Sequence, residues 1–438
     1  MMREVIRQKI VDGVRTTPPP LTPRDVRLPQ VPGKAIAVVG MRRVGKTTFL
    51  WQVLEERLRA GVPREALLFF SFEDERLMGM QVTDLQMLVE EYYLLYPQKR
   101  DRETVVFFLD EVQVVSGWEM FVRRLMDTEK VEVFLSGSSA RLLSREVATS
   151  MRGRAMEVRL YPFSFREYLR HLRCEPEQPV THLSKAERSL LQNQLEAYLR
   201  DGGFPEAQGV HPFDRYQLLR SYVDLVLLRD VIERYDVSHP VALRWMVRTL
   251  LGNPAGMFSV NKMYNELRSQ GIAVGKESVY SYVSYLEDAF LVRTVAIAAS
   301  SERQRMVNPR KVYPVDPALI PLYDRSGRTN IGHSLETCVL IELERRGAEV
   351  HYVRTPQGHE VDFLARYWDG REELIQVCAD LTDAQTAERE IRALMEASQG
   401  YPRAQRVLIT LHPAPHPLPE GVAARTALDW FLQGEEVG

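Results

Sequence analysis

The 438-residue chain has little cysteine, and no apolar run in it is long enough to cross a membrane. Its three cysteines lie far apart, without the paired spacing of a zinc site, so we expect thiols in a reducing compartment. A membrane-spanning helix needs about 18 or more apolar residues in a row, and the first residues lack the apolar core of a secretion signal. These absences predict a cytoplasmic protein that does not enter a membrane.

Histidine is also scarce, and none of the nine residues forms the spaced pair with an intervening glutamate that marks a zinc hydrolase. The formal net charge of −2 excludes a uniformly basic coat protein but allows a local basic face. Hydrophobic residues make up 45% of the chain and charged residues 26%, which excludes a disordered or collagen-like chain. The length predicts about two to four globular domains.

Short apolar runs alternate with helical patterns in the first third of the chain. Four runs have the pattern of strands buried on both faces of a sheet, at 35–39, 67–70, 105–109 and 131–135. Helices are expected between them, at 48–60 and 82–95. This alternation predicts a doubly wound α/β domain. The density of prolines over residues 15–32 predicts an extended arm or linker before it.

Residues 40–48 read GMRRVGKTT, which fits the phosphate-loop pattern of a glycine, four residues and Gly-Lys-Thr. The loop follows a predicted strand and opens a predicted helix, so backbone N–H groups and the helix start can face phosphates. We expect Lys46 to bridge the β- and γ-phosphates and Thr47 to ligate Mg²⁺, which makes ATP and Mg²⁺ the predicted cofactors. The predicted nucleotide-binding residues are Gly40, Arg42, Arg43, Val44, Gly45, Lys46, Thr47 and Thr48.

Asp110 and Glu111 end the third strand, at the sheet edge where ligands of open α/β sheets bind. We expect Asp110 to hold Mg²⁺ and Glu111 to polarise the attacking water, so ATP hydrolysis is predicted. After the fourth strand, Ser138 is a candidate to sense the γ-phosphate, and a simple turn residue is the equal alternative. Arg154 is a candidate to contact the phosphates of this subunit or a neighbouring one.

A set of motifs along most of the chain resembles prokaryotic AAA+-like ATPases that carry a C-terminal domain of unknown function. The motifs are GMRRVGKTT, FFSFEDERL, LDEVQVVSGWEMFVRRL, LSGSSARLL, GRAMEVRLYPFSFREYL, GGFPE, RDVIERY, KVYPVDPAL, LETCVLIELERRG and GHEVDF. The resemblance implies an ATPase core, a helical lid, a winged helix and a nuclease-like fold. It also implies a homo-oligomeric ring, with a hexamer expected, and a trans-acting or sensor role for Arg154 and Arg234.

The predicted fold class is therefore α/β, a P-loop doubly wound parallel sheet (AAA+) with a helical lid, a winged helix and a C-terminal restriction-endonuclease-like α/β domain. The predicted bounds are 1–32 for the N-terminal arm, 33–166 for the ATPase core, 167–240 for the lid, 241–311 for the winged helix, 312–415 for the nuclease-like domain and 416–438 for a tail. Strands of the nuclease-like domain are expected at KVYPV, HYV, VDFLARY, ELIQV and RVLITL.

The stretch 261–295 reads as helix, turn, helix and strand, the order of a winged helix. The first half of the second helix contacts bases or phosphates in such domains, and a cationic wing suits phosphate contacts. The nucleic-acid candidates are Lys276, Ser278 and Tyr282 on the helix and Arg303, Arg305, Arg310 and Lys311 on a hairpin wing. Nearby acidic residues favour the alternative, a winged helix used only for packing.

The C-terminal domain resembles PD-(D/E)xK nucleases in layout, with Glu336 on its first helix and Asp362 on a strand. Such a site needs acidic groups to hold Mg²⁺ and a lysine to assist the attacking water. The third strand should read Glu-x-Lys but carries Gln376 and Cys378, and Glu360 does not stand at the required position. An amide binds a hard cation more weakly than a carboxylate. The domain is therefore predicted to bind or assemble, not to cut.

Two functions remain open from the sequence. The first is an ATP-hydrolysing AAA+ ATPase coupled to nucleic-acid binding, such as a DNA translocase, helicase or remodeller of branched or single-stranded DNA. The second is a nucleotide-controlled signalling or switch ATPase that binds a protein partner. DNA-stimulated hydrolysis is expected of the first and not of the second.

Overall fold

The computed structural model describes residues 2–137, 151, 153–299, 301–324, 331–415 and 417–433. The chain divides into two compact units, Met1–Leu160 and Tyr161–Gly438. Within the described ranges, no helix combines the length and the apolar composition that crossing a bilayer requires.

The first unit is built around a parallel sheet. Its elements are α1 (Met2–Arg15), β1 (Ala35–Val39), α2 (Lys46–Arg59), β2 (Leu67–Ser71), α3 (Leu85–Leu95), β3 (Val105–Asp110), α4 (Trp118–Thr128), β4 (Val131–Ser136) and β5 (Ala155–Arg159). The strand order is β2-β3-β4-β1-β5, with every pair parallel. Every residue of β1 and β3 is buried, which explains their uninterrupted apolar sequences. The predicted P-loop sheet is confirmed.

The N-terminal arm predicted over 1–32 is helical in its first half. Helix α1 buries Ile6, Ile10 and Val14, whose spacing of four residues puts them on one helix face. That face packs against α3 and β2. Gly13 makes the close approach possible, because a Cβ there would lie 2.2 Å from the carbonyl oxygen of Phe69. Residues 16–31, in the proline-rich stretch predicted to be extended, form no helix or strand, whereas the helix that precedes them was not predicted.

The second unit begins with helices. These are α5 (Phe165–His171), α6 (Lys185–Asp201) and α7 (Pro212–Leu225), then a π-helical stretch (Val226–Ile232) and a last helical turn (Glu233–Tyr235). They are followed by α8 (Pro240–Leu251), β6 (Gly256–Phe258), α9 (Val260–Ser269), α10 (Lys276–Asp288), β7 (Val292–Val295), α11 (Glu302–Val307) and β8 (Arg310–Pro314). The three strands form an antiparallel sheet with β8 in the centre.

The connection between β7 and β8 differs from the predicted hairpin wing. It contains α11, and its first residues pair with a strand of the C-terminal sheet. The N–H of Ala298 donates to the carbonyl of Tyr352 at 2.7 Å, and the N–H of Tyr352 donates to Ala296 at 3.0 Å. The connection is therefore bonded to a neighbouring sheet.

The C-terminal sheet has five strands. Its elements are α12 (Ile331–Arg345), β9 (Glu349–Arg354), β10 (Glu360–Arg366), β11 (Glu372–Cys378), α13 (Ala384–Gly400), β12 (Gln405–Thr410), β13 (Val422–Thr426) and α14 (Ala427–Leu432). The order is β13-β12-β11-β10-β9, antiparallel on the β9 side and parallel on the β13 side. The predicted tail thus supplies β13 and α14. The predicted boundary at 311/312 falls inside β8, and the KVYPV strand pairs in the three-stranded sheet instead.

Three sequence motifs of the second unit meet at Asp316. Its carboxylate accepts hydrogen bonds from the N–H groups of Gly203 at 2.8 Å and Ala318 at 2.9 Å. The carbonyl of Gly203 accepts from the N–H of Phe163 at 2.7 Å. A Cβ on Gly202, whose φ is +72°, would lie 1.9 Å from an Asp316 oxygen. The three motifs are therefore joined by buried hydrogen bonds that stabilise the second unit. Burial raises the pKa of Asp316 to about 6.

Candidate functional site

The phosphate loop joins β1 to α2, and its glycines are required by the backbone. Gly45 has a φ of +94°, in the left-handed region that favours glycine. A Cβ on Gly40 would lie 2.1 Å from the carbonyl oxygen of Leu160. Val44 is fully buried and anchors the loop, whereas Arg43, with a φ of +68°, is exposed. The loop shape is thus fixed by close packing on both sides of Arg43.

Lys46 and Thr47 lie at the start of α2. The Lys46 ammonium is buried and donates to the carbonyls of Gly40 at 3.0 Å and Met41 at 2.9 Å. The Thr47 hydroxyl lies 3.1 and 3.2 Å from the two carboxylate oxygens of Asp110. The sequence therefore brings one cation and two hard oxygen ligands to one edge of the sheet.

Asp110 is only 4% exposed at the end of β3. It also accepts a hydrogen bond from the hydroxyl of Ser136, at the end of β4. Burial raises the pKa of Asp110, as does the charge of Glu111, and the bonds from Ser136 and Thr47 counteract part of that rise. Ser136 opens the serine-rich stretch 136–139 in which a hydroxyl was predicted to sense the γ-phosphate, whereas Ser138, the residue named for that role, lies outside the described residues.

Glu111 follows Asp110 but has a different environment. Its φ is +54°, an unfavourable value for a side chain with a Cβ, and it is half-buried. The side-chain amide of Gln113 donates to its carboxylate. Backbone strain of this kind is found at many catalytic positions, and the role of Glu111 as the base stays a prediction.

Arg24 contacts the phosphate loop from the proline-rich segment after α1. Its guanidinium donates to the carbonyl of Val44 at 2.9 Å. Its backbone N–H donates to the Gln52 side chain at 2.7 Å, and its carbonyl accepts from the same side chain at 3.2 Å. Arg24 is buried by these contacts. Sequence reasoning missed it because an arginine in an irregular segment has no periodicity to reveal its burial.

Arg154 lies at the end of the strands opposite to the end that carries the phosphate loop. It precedes β5, where Ala155 pairs with Ala35 at the start of β1, and it forms an ion pair with Asp127. The loop begins after Val39, at the other end of β1, which is roughly 15 Å away at the rise of a parallel strand. The prediction that Arg154 contacts the phosphates of its own subunit is therefore wrong. Contact with a neighbouring subunit stays a prediction.

A basic and aromatic surface lies on the helix pair α9–α10. The Tyr264 ring has the Lys276 ammonium 5.4 Å from its centroid and the Arg268 guanidinium carbon 5.7 Å away. Tyr280, one turn after Lys276, is 51% exposed. We call Tyr264, Arg268, Lys276 and Tyr280 the helix-pair surface. Ser278 is exposed next to it.

Two of the predicted nucleic-acid contacts are buried. Tyr282 is 3% exposed, and its hydroxyl accepts from the N–H of His239 at 3.3 Å. Lys311 is 2% exposed within β8. Both predictions are wrong, because each side chain lies on the inward face of its element. Of the other three wing candidates, Arg303 is exposed, Arg310 is half-buried, and Arg305 donates to the carbonyl of Ala299 at 3.1 Å.

The predicted nuclease-like residues meet around Lys311. Its ammonium lies 3.1 Å from a Glu336 oxygen and 2.9 Å from an Asp362 oxygen. Gln376 accepts from the N–H of Asp362 at 3.4 Å. Cys378 instead donates its S–H to the carbonyl of Asp380 at 3.1 Å. A lysine therefore reaches this site from β8, although β11 does not provide one.

The sequence contains a signal for this arrangement. Lys311 and Tyr313 alternate with apolar residues in β8, and alternate residues of a strand share one face. The Tyr313 hydroxyl donates to the same Glu336 oxygen at 2.7 Å. A lysine at an inward strand position predicts a buried acidic partner, so Lys311 could have been removed from the wing candidates.

The sheet order, the phosphate loop and the paired acidic residues define a P-loop ATPase fold of the AAA class. Residues 32–169 match a family described as an AAA domain, and residues 192–325 match one described as a domain of unknown function. An uncharacterized protein of Methanocaldococcus jannaschii is 31% identical over 379 residues, covering 85% of this chain and 81% of that protein. The chain therefore belongs to the family of AAA-domain ATPases that also carry that domain of unknown function.

A second relative and two solved structures are also similar to this chain. An uncharacterized protein of Haemophilus influenzae is 27% identical over 397 residues, 90% of this chain and 94% of its own length. The Walker-type ATPase of Pyrococcus abyssi is similar with a TM-score of 0.40 and 15% identity, over 73% of this chain and 95% of that one. The Orc1 protein of Aeropyrum pernix, solved in complex with DNA, has a TM-score of 0.27 and 15% identity, over 74% and 91%. Neither structural similarity is close enough to transfer a function.

Proposed function

We propose that this protein hydrolyses ATP and couples hydrolysis to binding of single-stranded or branched nucleic acid. The observation that carries the ATPase half is the convergence of Lys46, Thr47, Asp110 and Glu111. Lys46 and Thr47 open α2, Asp110 is the last residue of β3, and Glu111 follows it. Catalysis of phosphoryl transfer consists mainly of positioning and charge stabilisation, which this group of side chains can supply.

In the proposed reaction, Glu111 accepts a proton from a water molecule. The water oxygen forms a bond to the γ-phosphorus while the bond from that phosphorus to the β–γ bridging oxygen breaks. ADP leaves with the bridging oxygen, and inorganic phosphate is the second product. Lys46 neutralises charge on the β- and γ-phosphate oxygens, and the backbone N–H groups of the loop bind the same oxygens.

The fold implies that Mg²⁺ accompanies the nucleotide, and the residues fit such an ion. The Thr47 hydroxyl and the Asp110 carboxylate lie within 3.2 Å of each other, and both are the hard oxygen ligands that Mg²⁺ prefers. When bound, the ion would neutralise charge that develops on the transferred phosphoryl group.

The nucleic-acid half of the proposal is supported by the helix-pair surface. Two cations share the half-buried Tyr264 ring, and Tyr280 offers an exposed aromatic ring. Exposed aromatic rings stack on unpaired bases, and nearby cations contact the phosphates. This combination favours a single-stranded or splayed ligand.

Assembly into a ring, with Arg154 acting on a neighbouring subunit, belongs to the same proposal and rests on the family resemblance.

The test is the steady-state rate of ATP hydrolysis with no DNA and with single-stranded, forked or duplex DNA. Wild-type protein is expected to hydrolyse ATP faster with forked or single-stranded DNA. Glu111→Gln should lower the rate about 100-fold or more in every condition, because the general base is lost. Glu132→Gln, which changes an exposed glutamate paired with Arg57, serves as the matched control and should leave the rate unchanged.

Three results would contradict parts of the proposal. Unchanged hydrolysis in Glu111→Gln would remove the assignment of the base. Equal rates with and without every DNA would remove the nucleic-acid coupling and favour a nucleotide-controlled switch that binds a protein partner. Hydrolysis that is lost in Glu132→Gln would show that loss of a glutamate anywhere in the sheet disturbs the site.

A further inference from the structure

The Lys311 ammonium lies among three carboxylates that come from two different elements. Its Nζ atom is 3.1 Å from Glu336 on α12, 2.8 Å from Glu360 and 2.9 Å from Asp362 on β10. We call these four residues the lysine–carboxylate cluster. An ammonium group has three N–H donors, which matches the number of carboxylates around it. Lys311 itself belongs to the central strand of the three-stranded sheet.

The oxygens of the cluster have additional partners. Tyr313 donates its hydroxyl to the Glu336 oxygen that faces Lys311. The second oxygen of Asp362 accepts from the N–H of Val377 at 2.9 Å. Both oxygens of Asp362 and the inner oxygen of Glu336 are therefore already satisfied by donors from the protein. Burial alone would lower the pKa of Lys311, but the charges of Asp362, Glu336 and Glu360 raise it well above its usual value.

The nuclease-like layout implies a divalent cation at this position, and the residues do not fit one. Gln376 stands where a carboxylate ligand is expected, and its amide donates to Glu390 at 2.6 Å. Its oxygen accepts from the N–H of Asp362. In the part of the chain that the structure describes, no group of three or more His, Cys, Asp or Glu side chains is arranged to hold a metal ion. The ammonium occupies the space that the cation would need.

We propose that Lys311 replaces a divalent cation in the lysine–carboxylate cluster, so that the C-terminal domain holds its acidic residues together without metal. One positive charge and three N–H donors supply the neutralisation that a nuclease-like site obtains from an ion. The replacement also connects β8, and through it the sheet beside the helix pair, to α12 and β10. The cluster therefore links these elements by ion pairs and does not form a cleavage site.

The experiment uses the full chain, without nucleotide, with Lys46→Ala throughout to remove the phosphate-loop site. Binding of Mn²⁺ is measured by the loss of free-ion signal in electron paramagnetic resonance. Protein with Lys311 intact is expected to bind no Mn²⁺ at the cluster. Adding Lys311→Met should create one Mn²⁺ site, since three carboxylates then lack a cation. Adding Asp362→Asn to that variant should abolish the new site.

A second measurement tests for metal binding at the cluster even if Lys311→Met fails to fold. Urea unfolding of the Lys46→Ala protein is compared in Mn²⁺ and in chelator, with and without Asp362→Asn. The proposal expects the same unfolding midpoint in both solutions. A Mn²⁺-dependent stabilisation that Asp362→Asn removes would overturn it, because the ion would then bind beside Lys311. A folded Lys311→Met protein that binds no Mn²⁺ would overturn it as well.

Discussion

Asp110 and Glu111 are neighbours in the chain, yet their surroundings give them different chemistry. Asp110 is buried and accepts hydroxyl hydrogen bonds from Thr47 and Ser136, which fix the positions of its oxygens. Glu111 is half-buried on a backbone with positive φ. At the scale of single residues, position after a buried strand determines where a carboxylate lies, and its partners determine what it can do.

Arg24 is expected to support nucleotide binding by holding the phosphate loop. Arg24→Ala removes the bond to the Val44 carbonyl and leaves that carbonyl without this donor, a loss of roughly 1–2 kcal/mol. We expect ATP to bind about tenfold more weakly, with little change in kcat, in titrations with a fluorescent ATP analogue. Arg27→Ala, an exposed arginine of the same segment, should bind ATP like wild type. Equal affinity for both variants would show that Arg24 does not act through the loop.

Asp316 predicts a pH dependence of stability. Burial raises its pKa to about 6 in the folded chain, and an unfolded aspartate titrates near pH 4. The folded state therefore takes up the proton first as pH falls. Between about pH 6.5 and 4, wild type should gain on the order of 2 kcal/mol of unfolding free energy relative to Asp316→Asn. Urea unfolding across that range measures the difference, and a wild type that loses stability relative to the variant would contradict the assignment.

At the scale of elements, helix α1 packs against an edge strand of the parallel sheet. Strand β2 is the last strand on its side of the parallel sheet, and α1 packs against β2 and α3. An uncovered edge strand invites pairing with other chains. The ion pair between Lys9 and Asp74, 2.7 Å apart and largely buried, joins α1 to the turn after β2. The helix is therefore part of the ATPase domain.

The close contact of α1 predicts the effect of a single methyl group. Alanine is favoured over glycine in a helix by up to about 1 kcal/mol, but at Gly13 the added Cβ would meet the Phe69 carbonyl. We expect Gly13→Ala to destabilise the protein by about 1–3 kcal/mol. Gly400→Ala is the matched control, because Gly400 ends α13 and a Cβ added there would have nothing within 4 Å. Differential scanning calorimetry measures both, and a stabilised Gly13→Ala would contradict the contact.

At the scale of the whole molecule, the formal net charge of −2 is nearly neutral for 438 residues. A protein with so little net charge has no overall attraction for a polyanion. Any binding of nucleic acid must therefore come from local groups of cations. The helix-pair surface is such a group, whereas the lysine–carboxylate cluster removes Lys311 from the surface entirely.

This distribution predicts a weak dependence of nucleic-acid binding on salt. With two phosphate contacts, from Arg268 and Lys276, the logarithm of the affinity for single-stranded DNA should fall with a slope of about 1.4 against the logarithm of the salt concentration. Lys276→Ala should lower that slope by roughly 0.7, the value for one phosphate contact. Arg392→Ala, at an exposed arginine on α13 paired with Glu388, should not. Fluorescence anisotropy gives the slopes, and an unchanged slope in Lys276→Ala would exclude the helix-pair surface.

The nucleotide site and the parallel sheet could be predicted from the sequence because their signals are local. The loop from Gly40 to Thr48 is continuous in the chain, and a strand buried on both faces has to be apolar throughout. Helix α1 was not predicted because most of its residues are polar or charged and only three are buried. Strand β13 was missed because its side chains are only partly buried and lack an apolar run.

The amino-acid sequence by itself determined that this protein carries a phosphate loop followed by paired carboxylates, since consecutive residues specify that chemistry. Only the tertiary structure decided which distant groups share a site. It set Arg154 at the wrong end of β5 for its own nucleotide, through the pairing of Ala155 with Ala35. It also brought Lys311 between Glu336 and Asp362. Contacts between distant residues depend on strand register and on how separate elements pack. No single stretch of sequence contains that information.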